Sequence, residues 1–102
     1  MDESPLLYRV SYSGRVREAL RELVLHAREV NLGEQVLAAI REIDNRLHLY
    51  PQFGQPLRDL SVQPAQLWIG VVKPLVVLCV LDESSRQVSI LHSITPLPRC
   101  GL

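Results

Sequence analysis

Three apolar runs close together, at 67–72 (LWIGVV), 75–81 (LVVLCVL) and 87–94 (QVSILHSI), predict a three-stranded antiparallel meander, because the charges between them, Lys73, Asp82, Glu83 and Arg86, all fall at the breaks. The middle run is so continuously apolar that both of its faces are expected to be covered at the centre of a sheet. Upstream, Leu6, Tyr8, Val10 and Tyr12 alternate with Arg9, Ser11 and Ser13, which predicts a strand over 6–13 with its aromatics on one face. Ser13 and Gly14 then offer a helix cap. Val16, Leu20, Leu23, Ala27 and Val30 recur at helical spacing up to Asn31. Asn31, Leu32 and Gly33 break that helix, and Val36, Ile40, Ile43, Leu47 and Tyr50 repeat the spacing up to Pro51. Two helices joined by so short a loop pack antiparallel and cover one face of the sheet.

The segment 51–64, PQFGQPLRDLSVQP, has three prolines and a glycine and predicts a connector built of turns, pinned to the core by Phe53 and Leu57. After 94 the tail TPLPRCGL leaves the ladder, since Pro96 and Pro98 have no amide donor. The expected architecture is therefore α+β, in the order β-α-α-β-β-β, with a helical hairpin on a mainly antiparallel four-stranded sheet. All 102 residues form a single domain in this reading.

Composition narrows the function classes. No run approaches the roughly 20 apolar residues of a membrane helix, and the opening MDESPLLYRV lacks the basic start of a secretory signal, so a cytoplasmic protein without membrane contact is expected. Cys79, inside the most apolar run, reads as a packed free thiol, while Cys100 lies in the tail; neither has neighbours that would make a metal site, and no cofactor is expected. Eleven basic and eleven acidic residues cancel, so no overall field draws in a polyanion. Ten of the basic residues are Arg, the better residue for bidentate contact with phosphate or carboxylate.

No phosphate-binding glycine loop, metal cluster or paired nucleophile and base is visible. His48 reads as the partner of Asp44, and Glu42 as the partner of Arg46, each four residues apart on the second helix. His92 falls on the apolar side of the last strand, where an imidazole needs a partner or a cleft. Arg58 lies in the connector beside Asp59. Trp68, Tyr8 and Tyr12 read as core aromatics.

With this layout in place, the chain resembles the RelE/ParE superfamily of toxin-antitoxin systems. The likeness spans nearly the whole chain and is carried by YRVSYS before a helical hairpin, by the connector phrase with Pro51, Gly54, Pro56 and Leu57, and by LVVLCVLDESSRQVSIL. The resemblance implies a growth-inhibiting toxin component, a small antitoxin as partner, and either DNA gyrase or the ribosome with its mRNA as target. Ribonuclease members of the family typically carry Arg at about the position of Leu75, further cations on the preceding strand, and His, Arg or Tyr at the end of the last strand. Here Leu75 is apolar and LWIGVV has no cation, which leaves Arg58, His92 and Arg99 as the candidate catalytic residues. The expected function is a toxin-type component that acts by protein binding, in the ParE manner. The rivals are a ribosome-dependent mRNA endoribonuclease using those three residues and a non-toxic orphan that serves as a protein-interaction module or homodimer.

Overall fold

The structure, a computed structural model, describes residues 7–57, 65–99 and 101, and of 91–93 it describes the backbone alone. Strand β1 (Arg9–Tyr12) leads into helix α1 (Gly14–Glu29) through Ser13, whose extended backbone lets its Oγ accept from the Val16 N–H at 3.1 Å. The hairpin turns at Asn31, which takes φ 63°, and Leu32 N–H donates to Ala27 O at 2.7 Å to close the helix end. Helix α2 (Gly33–Leu49) stops just before Pro51, which opens a 3-10 turn over Pro51–Phe53. Four further strands follow: β2 (Gln55–Pro56), β3 (Gln66–Val72), β4 (Leu75–Asp82) and β5 (Gln87–Pro96).

The five strands lie in the order β1-β5-β4-β3-β2, antiparallel throughout except for the parallel β1–β5 pair. The α+β hairpin-on-sheet architecture is therefore present, with one strand more than the expected four. The extra strand is β2, two residues of the connector that pair with Ile69 and Trp68 of β3. Close backbone approach is what allows it. A side chain at Gly54 would meet Ile69 O at 2.1 Å, and one at Gly70 would meet the Phe53 ring at 2.6 Å, so glycine at both positions lets the connector lie flat on β3. Phe53 packs on the core as expected, while Leu57 is half-buried and holds its place by donating its N–H to Leu67 O at 2.7 Å.

Some expected element ends move. Strand β5 runs on to Pro96, paired with Leu75, because the next ladder bond comes from Leu97 N–H to Pro74 O at 2.8 Å and asks nothing of the proline nitrogen. Val30 and Tyr50, read as ends of the two helical stripes, are 39% and 61% exposed, since each lies just past its helix.

The core lies between the helices and one face of the sheet. Val16 and Ala27 of α1 and Val36, Ala39, Ile43 and Leu47 of α2 are buried against Leu75, Val77, Cys79 and Leu81 of β4 and Val88, Ile90 and Ile94 of β5. Tyr8, Val10, Tyr12 and Trp68 pack around this cluster, as the sequence implied. Strand β4 is central, but its burial alternates: only the helix-facing residues are fully covered, and Val76, Leu78 and Val80 on the other face are half-buried. The expectation that both faces are covered is thus met on one side only.

Burial pushes the Cys79 thiol from 9.0 up to about 11. In the unfolded chain the thiol ionises at lower pH than in the fold, so its contribution to stability is whole below pH 9 and is lost as pH rises toward 11, an effect of about 2–3 kcal/mol. In a Cys100→Ser background, Cys79 is expected to react with iodoacetamide at pH 8 at least about 100-fold more slowly in native buffer than in urea. Equal rates would place the thiol outside the core.

Candidate functional site

Residues directly opposite one another on neighbouring strands share a face of the sheet. Leu67 pairs with Val80, Ile69 with Leu78 and Val71 with Val76, so these six side chains form one patch on the face opposite the helices. Val71 is 49% exposed and the rest are half-buried. The patch turns polar toward β1, where Ser11 pairs with Ser89 and Arg9 with Gln87, and the Ser11 and Ser89 hydroxyls lie 3.4 Å apart. No Lys or Arg occurs anywhere in β3, β4 or β5. The arrangement offers apolar contact area and backbone-ordered rigidity, and it offers little to a phosphate chain.

The candidate residues fall as follows. Arg58 lies outside the described residues. His92 is in β5, where the pairing with β4 shifts between Leu78, opposite Ser93, and Val80, opposite Ser89; its side chain lies outside the described residues. Arg99 is exposed at φ 60°, two residues beyond the Leu97 bond to Pro74, and so stands at the end of the sheet marked by the β3–β4 turn and exposed Lys73. Leu57, the last described residue before Arg58, stands beside Leu67 at the other end of β3. The two ends are separated by roughly 17 Å of strand at about 3.4 Å per residue.

A second polar constellation sits where β1 meets α2. Tyr12 OH donates to Asp44 Oδ1 at 2.5 Å, His48 Nδ1 lies 2.8 Å from Asp44 O and 3.5 Å from Asp44 Oδ2, and Tyr8 N–H donates to His48 O at 2.9 Å. Burial, reinforced by the hydrogen bond to Asp44 and its negative charge, raises the Tyr12 phenol above its ordinary range. A phenol so held keeps its proton through the neutral range, and the group fixes β1 onto α2 instead of exchanging protons. The expected Asp44–His48 and Glu42–Arg46 pairs are both present, the latter at 2.7 Å with the Arg46 guanidinium also 5.3 Å from the Phe53 ring centroid. Among the described residues, no three His, Cys, Asp or Glu side chains come together as metal ligands, and no helix is long and apolar enough to cross a membrane.

A helical hairpin on one face of a mixed sheet, with the chain order seen here, is the RelE-like fold. The chain is similar to a chain of the crystal structure of the archaeal RelE-RelB complex from Pyrococcus horikoshii OT3, with a TM-score of 0.63 and 20% sequence identity over 90% of this chain and 97% of that one. The sequence itself matches no family model and no curated protein. At that identity the likeness is one of fold, and the side chains of the sheet's open face are this chain's own.

Proposed function

We propose that the chain is the toxin-type component of a cytoplasmic toxin-antitoxin pair and acts by binding a protein target through the open face of its sheet. The observation that carries this reading is the apolar patch of Leu67, Ile69, Val71, Val76, Leu78 and Val80 on a RelE-like fold, in strands without a single Lys or Arg. Cleavage of RNA requires cations that hold phosphate and stabilise the charge developing in the transition state. A protein surface requires what this face provides, contiguous apolar area on a rigid support. The relative of similar fold was crystallised as a complex of RelE with RelB, which supports a small antitoxin as the partner here. By the same resemblance, the ParE branch suggests DNA gyrase as the target.

The test is induced expression of the chain alone, followed by growth, transcript integrity and gyrase supercoiling activity, with Arg58→Ala and Arg99→Ala variants alongside. Growth arrest that both variants retain, with intact transcripts, is the expected outcome. Cut transcripts that both substitutions abolish would favour instead the endoribonuclease reading, with Arg58 and Arg99 in its site. No effect on growth would leave the non-toxic interaction module as the reading.

A further inference from the structure

The sheet ends in two unlike edges. At one, β2 is two residues long and its Pro56 has no N–H to offer, which blunts that edge. The other edge is β1. In the parallel pairing with β5, Arg9 N–H donates to Arg86 O at 2.8 Å and Ser13 N–H to Ile90 O at 3.1 Å. Main-chain groups alternate sides along a strand, so those of Val10 and Tyr12 point out of the sheet. Tyr8 belongs to the same outward series, but its N–H is already spent on His48 O at 2.9 Å, where the end of α2 closes on β1. Val10 and Tyr12 have no such main-chain partner among the described residues, and β1 carries neither a proline nor a bulge.

Two copies of this edge complement each other in one register. Antiparallel strands set outward-facing residues directly opposite, and each such pair exchanges two hydrogen bonds. With Val10 opposite the partner's Tyr12, and Tyr12 opposite the partner's Val10, every free N–H and C=O of the two residues is used in both copies. Val10 opposite Val10 would call on Tyr8, whose N–H is taken; Tyr12 opposite Tyr12 would call on Gly14, already the first residue of α1. In the remaining register Ser11 meets its own copy and Arg9 meets Ser13, so no like charges stand opposite. Gly14 falls opposite Tyr8 and has no side chain to hold the partner's α2 end away; a Cβ there would find nothing within 4 Å. Leu7 and Leu49, 53% and 51% exposed beside Tyr8 and His48, flank the paired strands and add apolar area that so short a ladder needs.

We propose that two copies of the chain pair antiparallel through β1, Val10 against the partner's Tyr12, to form one ten-stranded sheet. Residues directly opposite share a face, so the two-fold axis stands perpendicular to the sheet at Ser11. Both open faces then look to the same side. Their apolar patches on β3 and β4 lie six strand spacings apart, roughly 30 Å at about 4.8 Å each. The pair therefore presents two copies of the patch to a target that itself repeats. That last consequence rests on the open face being the binding surface; the pairing through β1 does not.

The test is sedimentation equilibrium of the full chain from about 1 to about 500 µM, where the mass is expected to rise from 11.6 kDa toward twice that value, with a Kd on the order of 10–100 µM. Ser11→Lys and Ser11→Glu should each weaken pairing about tenfold or more, and an equimolar mixture of the two should restore it, because only this register sets residue 11 against itself. Ser11 is exposed, so circular dichroism should show both variants folded as the parent. In a Cys100→Ser background, Ser11→Cys should cross-link across the axis on mild oxidation, since residue 11 forms the closely spaced, non-hydrogen-bonded pair. A monomer at every concentration would overturn the proposal. So would a dimer that the charges at residue 11 leave intact, a mixture that fails to restore pairing, or a dimer broken by Val71→Glu, which would place the contact on the open face.

Discussion

Val71→Glu is expected to abolish growth arrest on induction, restoring plating on inducer by on the order of 100-fold or more, while the thermal midpoint stays within a few degrees of the parent's. Val71 is about half exposed on the open face, opposite Val76, so the free protein bears a new carboxylate there at little cost. In a complex the same carboxylate is buried against an apolar patch without a partner, and a penalty of about 3 kcal/mol corresponds to the two decades expected. Arg99→Ala, by contrast, is expected to leave arrest intact. Restored growth with an unfolded variant would be uninformative about the face, so near-ultraviolet circular dichroism accompanies the plating. If Val71→Glu folds and still arrests growth, the open face is not where the protein acts.

Leu47→Ala is expected to lower the stability of the fold by about 3 kcal/mol, read from the urea midpoint followed by far-ultraviolet circular dichroism. Leu47 is fully buried where α2 meets the sheet, in one cluster with Ile43, Leu75 and Leu81, and truncation removes transfer free energy and leaves a cavity that rigid neighbours fill only in part. A domain of this size holds on the order of 5–15 kcal/mol in all, so the loss is a large share. Leu49→Ala, two residues on, should change stability by less than about 0.5 kcal/mol, because that side chain is already half in water. The contrast between two leucines in one turn of helix tests the burial assignment of α2 directly.

How far the sequence alone carried the fold depends on whether an element's partner is local. Helix ends were legible because their chemistry is local: Ser13 caps α1, Asn31 takes the left-handed turn, and Pro51 stops α2. The meander was legible for the same reason, since consecutive strands pair across short turns. The parallel pairing of β1 with β5 was not, because a period of two announces a strand but not its neighbour 78 residues away. Strand β2 escaped notice because two residues, one of them proline, show no periodicity, and only the close approach at Gly54 and Gly70 reveals why they pair.

Of the functional surfaces, the open face was half legible. The absence of Lys and Arg from the last three strands can be read directly, but the uninterrupted run of β4 suggested cover on both faces when only alternate residues are fully buried. The solvent-open cleft between α1 and α2, lined by Arg17, Leu20, Ile40 and Arg41, was missed. Its signal was nonetheless present in Val24 and Leu25, which widen the apolar stripe of α1 beyond Val16, Leu20, Leu23 and Ala27. Arg17 and Arg41 carry no signal of their own in the sequence, because spacing alone does not show that α1 and α2 bring them to one cleft.

The central claim, that the protein acts by binding a protein and not by cutting RNA, is tested most directly by adding the purified full chain to ribosomes translating a defined message and mapping the message's 5′ ends. The message is expected to stay intact at protein concentrations sufficient for growth arrest in the cell. New 5′ ends that appear with wild-type protein and vanish with Arg99→Ala would contradict it.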